Sequence, residues 1–356
     1  MEKLVEVLTV ATTHGIKVGV IGLGKMGLLH AGIFNQLAPR GFVAAAEKDK
    51  LTRNLVKAYM PQTNVYSDYE EMFEREELDI AVITTPVFLH KPVVDSALEN
   101  DCHIFVEKPL ALNGEECRAL LRTGTNKKTQ VGYNRRFLET FKMAKQILDD
   151  SVLGEPKYVQ SQMFETQVLG REGGWRFDPS KSGGGVIIDL GAHVIDMLHY
   201  LVGPLARVHG SARSVYSDSV DDFASIALQF ADGLTGSLEL SWSVRHYRLP
   251  EMRIVMQFDE GTIAVTEKYI EIYSEVDGGS LKRGWSTFHL QDLTAGVPID
   301  LGGPEYTAED AQLLDCIGND GAPLCRFQEA AQANFVIDAI YHSINTGETK
   351  KVDYGV

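Results

Sequence analysis

The sequence predicts two domains of different class, an α/β domain on a doubly wound parallel sheet and then an α+β domain whose mostly antiparallel open sheet is flanked by helices. Three observations predict this. From Ile16 onward short apolar runs alternate with longer amphipathic ones. Runs such as "VGVIG" and "IAVIT" carry no polar alternation, as strands covered on both faces do not. After residue 134 the pattern changes to strand-like runs separated by turn signals. At 356 residues the chain has room for two such domains.

In the first half "IKVGVIGLG", "FVAAAEKD", "LDIAVITTP" and "HIFVEKPLA" read as strands, with "MGLLHAGIFNQL", "LTRNLVKAYM" and "HKPVVDSALEN" as the crossover helices. "KTQVGYN", 128 to 134, reads as one more strand of that sheet. The boundary falls after it, giving a first domain of residues 16–134 and a second of 135–356. Residues 1–15 read as an extension that the fold does not need. In the second half "KYVQSQMF", "RVHGSARSV", "FASIALQF", "LTGSLELSWS", "RIVMQF", "GTIAVT" and "YIEIYSE" are strand-like, and "ADG", "DEG" and "DGG" are hairpin signals between some of them. Together they predict a meander. Helical patterns around 136–149, from near Val186, and in "TAEDAQLLDCI" and "RFQEAAQANFVIDAIYHSI" flank it.

Charge and apolar pattern exclude several function classes. The net charge is −15, from 49 acidic against 34 basic side chains, and no basic block stands out. Nucleic acid and an anionic membrane are therefore not expected partners, while a charged small molecule stays open. No apolar run approaches the roughly 18 residues of a membrane span. Glu2 and Glu6 stand where a basic leader segment would carry its charge, so a cytoplasmic protein is expected. Cys102, Cys117, Cys316 and Cys325 show neither a C-x-x-C pair nor metal-ligand spacing, which predicts reduced thiols and no metal site.

"VGVIGLGKMG" places Gly22, Gly24 and Gly27 as G-x-G-x-x-G between a predicted strand and a predicted helix. The first glycine serves the tight turn, the second lets backbone approach a pyrophosphate, and the third lets helix and strand pack closely. Leu23, Lys25 and Met26 complete the loop. Glu47 follows Gly27 by 20 residues, at the end of the next strand. A carboxylate there bonds ribose hydroxyls and repels a 2′-phosphate, so a Rossmann domain binding NAD, with NADP less favoured, is the reading. Lys48 beside it pulls the other way.

In "GGGVIIDLGAHVID", 183 to 196, three glycines precede an apolar run carrying Asp189, His193 and Asp196. If the run is a helix, the three share one face. Either that stripe meets water or it lines a cleft. A carboxylate one turn from an imidazole orients the ring and raises its basicity, which suits a general base, although a satisfied core pair has the same spacing.

With these motifs in hand, "VEKPLA" and "GYNRRF" make the chain resemble the Gfo/Idh/MocA oxidoreductases, which include glucose-fructose oxidoreductase and inositol dehydrogenases. The resemblance runs from about Ile16 onward, through "GLGKMGLLH", "TTPVFLH", "EKP" at 107 to 109, "GYNRR" at 132 to 136, "GGWR" at 173 to 176 and "DLGAH". It implies that Lys108, Asp189 and His193 surround the carbon that exchanges a hydride with the nicotinamide. It also implies a cis peptide bond before Pro109. His193 is then the candidate base, Lys108 stabilises developing negative charge and relays the proton, and Asp189 anchors the imidazole or a substrate hydroxyl. The glycines would let the chain pass close to cofactor or substrate.

Thr84, Thr85 and Pro86 end a strand at the edge where such sheets bind ligands, and are expected at the cofactor together with Glu107, Lys108, His90, Asn134, Trp175 and Arg176. His90 equally suits a cap of the following helix. Arg135, Arg136 and Tyr306 are expected at the substrate with Lys108, Asp189 and His193. Tyr247 is a weaker candidate of the same kind.

The expected function is an NAD-dependent dehydrogenase acting on a secondary hydroxyl, or the corresponding ketone, of a cyclic polyol, sugar or nucleotide-sugar. Two alternatives share the fold. One is a glycoside hydrolase that uses tightly bound NAD for transient oxidation, and the other is a nucleotide-sensing regulator without turnover, which need not keep all three of Lys108, Asp189 and His193. The resemblance further implies a homodimer or homotetramer.

Overall fold

The computed structural model describes residues 15–170, 173–278, 281–294 and 296–355. The expected N-terminal extension, apart from Gly15, lies outside the described residues. The chain divides into two compact units, one of residues 1–134 with 295–331 and the other of residues 135–294 with 332–356.

The first unit carries six strands: β1 (Val18–Ile21), β2 (Phe42–Ala46), β3 (Asn64–Tyr66), β4 (Ile80–Ile83), β5 (His103–Glu107) and β6 (Thr129–Gly132). They pair in parallel in the order β3-β2-β1-β4-β5-β6. This is the doubly wound sheet expected, and its order reverses between β1 and β4, the point where such sheets take ligands at their carboxyl ends. All four residues of β1 and of β4 are buried, which accounts for the unbroken apolar runs. Strand β3 was not anticipated, because three half-exposed residues at the sheet edge make no apolar run.

Residues 295–331 correct the single division after residue 134, because they belong to the first unit. Helix Pro304–Gly318 packs against helix Lys25–Leu37, and Ala311, Leu313 and Leu314 join one core with Val20, Ile33, Phe34 and Phe105. Gln130 donates its side-chain amide to the Glu309 carbonyl at 2.8 Å, and the Val131 N–H donates to the Cys325 carbonyl at 2.9 Å. The "TAEDAQLLDCI" helix therefore flanks the parallel sheet and not the antiparallel one. All four cysteines are buried free thiols.

The second unit holds β7 (Pro156–Phe164), β8 (Leu205–Arg213), β9 (Phe223–Phe230), β10 (Thr235–Ser241), β11 (Glu251–Phe258), β12 (Gly261–Thr266), β13 (Tyr269–Ser274), β14 (Gly284–His289) and β15 (Lys350–Lys351). Their order is β14-β13-β12-β11-β7-β10-β9-β8-β15. The sheet is not the single meander expected. Strand β7 inserts between β10 and β11 and runs parallel to β10, while every other pair is antiparallel. "ADG" and "DEG" do close hairpins, between β9 and β10 and between β11 and β12.

Alternation along β9 buries Ala224, Ile226, Leu228 and Phe230 and exposes Ser225, Ala227 and Gln229. Helix Val186–Leu201 lies on the buried face, so closely that a Cβ on Gly191 would come 2.8 Å from Leu240 Cδ1. The insertion of β7 has a geometric consequence. Phe164 pairs with both Ser241 and Glu251, and Ser241 pairs with Phe223. The loops after β7 and β10 and before β9 therefore emerge at one edge of the sheet. Among the described residues no helix is long and apolar enough to cross a membrane.

Candidate functional site

The glycine loop leaves β1 at the sheet's switch point. Gly22 adopts φ +88°, and a Cβ on Gly27 would sit 1.9 Å from the Gly22 carbonyl oxygen, so both positions demand glycine. At Gly24 a Cβ would meet nothing within 4 Å, leaving that backbone open to a ligand. Gly24 precedes helix Lys25–Leu37 with no side-chain cap, and no acidic residue lies in its first turn. The first N–H groups of that helix are thus available to an anion. Gly24 and Lys25 are exposed and Met26 half-buried.

Glu47 stands at the end of β2, where one carboxylate oxygen accepts the Leu23 N–H at 2.6 Å and the other the Asp49 N–H at 2.8 Å. Each oxygen keeps a lone pair for a ribose hydroxyl. Turn, open backbone and fixed acid fit a dinucleotide. Lys48 is exposed, while Arg53, which sequence reasoning passed over, donates to the carbonyls of Glu47 and Lys48 at 2.6 Å each.

Strand β4 delivers Thr84, whose hydroxyl donates to the Gly22 carbonyl at 2.6 Å and so braces the loop. The Thr85 hydroxyl oxygen is buried without a hydrogen-bond partner among the described residues, and Pro86 precedes the short turn Val87–Leu89. His90 is buried, with Nδ1 2.8 Å from the Pro109 carbonyl and Nε2 3.0 Å from that of Thr85. Burial lowers its pKa, and a neutral ring donates to one of the two. His90 therefore ties two loops together and is not free to meet a cofactor as expected.

The Lys108–Pro109 peptide is cis, in line with the expectation. Glu107 accepts the Lys108 N–H at 3.0 Å, and its other oxygen lies 3.3 Å from His30 Nε2. His30 is fully buried, and its Nδ1 is 2.9 Å from both oxygens of Asp310. Burial opposes the imidazolium, yet Asp310 and Glu107 outweigh it and push the His30 pKa up to about 10. Beside it Glu309 is buried with neither carboxyl oxygen hydrogen-bonded among the described residues, and burial raises its pKa well above the usual carboxylate range. No spacing could reveal this group, because Glu309 and Asp310 come about 280 positions after His30. Tyr306 belongs to it too, packing edge-on to His30 at 6.2 Å in the first unit, and Asn134 is buried.

In the second unit, helix Val186–Leu201 carries the polar stripe. From Val186 to Leu198 every residue is buried except Asp189 and His193, one turn apart. Asp196 is 2% exposed and paired with the buried Arg136 through two bonds, at 2.9 and 2.7 Å. The stripe thus splits into a core ion pair and an accessible acid–imidazole pair. Arg136, expected at the substrate, is spent on the core, and Arg135 is 2.9 Å from Glu267. Arg176 approaches Asp189 at 4.0 Å from the turn Trp175–Phe177, where Trp175 and Arg176 are both partly exposed. Tyr247 packs edge-on against Phe164 with ring centres 5.4 Å apart.

Two of the three glycines make close approaches within the second unit. A Cβ on Gly184 would come 1.9 Å from the Tyr341 hydroxyl, and one on Gly185 would come 2.0 Å from the Asp221 carbonyl. Asp221 accepts the N–H groups of Gly185 and Ile187 at 3.0 and 2.9 Å, and Tyr341 donates to it at 2.9 Å. The helix is therefore capped from the loop between β8 and β9, which local sequence does not announce.

Comparison with known proteins meets this geometry in two successive stretches of the chain. Residues 16–135 match the description "Oxidoreductase family, NAD-binding Rossmann fold", and residues 141–264 match "GFO/IDH/MocA C-terminal domain". The chain belongs to the Gfo/Idh/MocA family. It is an NAD-dependent oxidoreductase of that family. Its relatives include the scyllo-inositol 2-dehydrogenase (NAD(+)) of Bacillus subtilis (strain 168), 28% identical over 239 residues, 64% of this chain and 68% of that protein. The putative UDP-kanosamine synthase oxidoreductase subunit of Amycolatopsis mediterranei (strain S699) is 27% identical over 352 residues, 91% of this chain and 94% of that protein. Among solved structures, levoglucosan dehydrogenase in complex with NADH shares the fold with a TM-score of 0.85, at 24% identity over 95% of this chain and 99% of that one.

Proposed function

We propose that the protein oxidises a secondary hydroxyl of a cyclic polyol, sugar or nucleotide-sugar, or reduces the corresponding ketone, with Lys108, Asp189 and His193 as its catalytic residues. The observation that carries this is the escape of Asp189 and His193 alone from an otherwise buried helix segment, with Asp196 withdrawn into the core. A satisfied core pair would be buried with its neighbours. Family membership and relatives named as inositol and nucleotide-sugar oxidoreductases support the substrate class.

Bound NAD supplies the hydride acceptor, held by Gly22, Gly24, Gly27, Glu47 and the loops after β4 and β5. His193 takes the hydroxyl proton, Asp189 orients the ring, and the Lys108 ammonium stabilises the oxygen as negative charge develops on it. Arg176 keeps the Asp189 carboxylate engaged, and Glu107 fixes the backbone from which Lys108 departs. The same reading carries a cytoplasmic location and a homodimer or homotetramer, which sedimentation of the purified chain tests.

The deciding experiment mixes protein and NAD with pooled polyols, free sugars and nucleotide-sugars and follows reduced nicotinamide, beside Lys108→Ala. Turnover in the wild type that is lost in the variant, with NAD binding within about twofold, is the expected result. Equal turnover in both removes Lys108 from the mechanism.

A further inference from the structure

We infer that the loop between β10 and β11 recognises an anionic group on the substrate, a carboxylate or phosphate attached to the sugar, through Arg245 and Arg248. The inference rests on the dehydrogenase reading for what a substrate is, and adds its charge. In a chain of net charge −15, the segment "SVRHYRLP" puts Arg245, His246 and Arg248 within four positions, all three exposed. Among the described residues neither arginine has an ion-pair or hydrogen-bond partner.

Solvated arginines are ordinary, and three observations set these apart. The loop is held where a substrate would meet the second unit. It leaves the same end of the sheet as the segment after β7 that leads to Arg176, 4.0 Å from Asp189, and as the loop before β9 whose Asp221 caps the helix bearing Asp189 and His193. It is also fixed. Thr166 donates its N–H to the Tyr247 carbonyl at 2.6 Å and its hydroxyl to the Val244 carbonyl, and Tyr247 packs edge-on against Phe164. His246, between these ties, is forced to φ +88°, a strain that a loop with no task need not keep.

The third observation is electrostatic. Of the carboxylates that flank the loop in the sheet, Glu251 is engaged with Lys268 at 2.9 Å and Glu267 with Arg135 and the Met252 N–H, and Glu165, next to Thr166, is not free either. Asp189 faces Arg176. Two guanidinium groups are thus left uncompensated at the end of the sheet from which the Arg176 segment and the Asp221 cap also emerge, which a neutral polyol does not require. Arginine pairs with a carboxylate or a phosphate through the same forked geometry, so the shared chemistry is the anion.

The test is calorimetric titration of the full chain, saturated with NADH, with glucose and myo-inositol as neutral probes and glucuronate, glucose 6-phosphate and UDP-glucose as anionic ones. At least one anionic probe is expected to bind about tenfold or more tightly than glucose, as one charge-assisted bond permits. The preference should shrink as salt rises from about 0.05 to 0.5 M, vanish in Arg245→Ala/Arg248→Ala and be retained only in part in the double lysine variant, which keeps the charge and loses the fork. Which probe prevails separates carboxylate from phosphate. Equal binding of charged and neutral probes, or a preference that survives the double alanine variant, overturns the inference. Neutral probes that reduce NAD in a Lys108-dependent way with no anionic advantage would leave the dehydrogenase reading standing and this one refuted. Arginine-dependent anion binding with no NAD reduction by any probe would do the reverse.

Discussion

Lys108 was legible from three letters, but what fixes its backbone was not. Glu107 reaches His30, and His30 reaches Asp310, so a helix near the end of the chain steadies the loop that carries the lysine. Asp310→Asn leaves a buried imidazolium with one acid in place of two, and stability should fall by about 3–5 kcal/mol by chemical denaturation. Glu309 predicts the opposite sign. The folded chain holds its proton well above 4.5, where the unfolded chain releases it. Its contribution is fully present below the unfolded pKa and lost as pH rises towards the raised folded one. Glu309→Gln should therefore melt higher than the wild type by a margin that grows from about pH 5 upward. A margin independent of pH would argue against a neutral buried acid. At the nucleotide end, Glu47→Ala should reduce the ratio of NAD to NADP affinity by about tenfold, the worth of a bond to a charged group. An unchanged ratio would remove Glu47 from the discrimination.

Among elements, helix Val186–Leu201 shows most clearly how position follows from packing. Its polar spacing was visible, yet the sequence treated Asp189, His193 and Asp196 alike, and only the burial of Arg136 separates the core pair from the accessible one. The glycines before it were legible as a close approach, though not what they approach. A Cβ on Gly185 would strike backbone at Asp221, which cannot swing aside, so Gly185→Ala should cost about 1–3 kcal/mol and lower kcat. Gly173→Ala, with nothing within 4 Å, is the control and should leave both unchanged. Equal effects of the two substitutions would mean that the cap does not set the helix.

On the scale of the whole molecule, the first unit is discontinuous. Residues 295–331 complete its core through Ala311, Leu313 and Leu314, and each buried leucine contributes roughly 1.5–3 kcal/mol. A fragment of residues 16–134 should accordingly melt non-cooperatively and bind NAD weakly, and fusing 295–331 to it should restore a cooperative transition in a thermal melt. A fully stable 16–134 fragment would contradict this. The sequence by itself determined what short-range chemistry records: unbroken apolar runs for a parallel sheet, glycines at the turn where only a positive φ and a close contact fit, Glu47 a fixed step beyond them, and an acid and an imidazole one helical turn apart. The tertiary structure alone decided the rest. The insertion of β7, the return of 295–331, the cap from Asp221, the His30 cluster and the fate of Asp196 all join residues far apart in the chain. Each is settled by burial and pairing, and no local period carries information about partners that are brought near only when the sheets close.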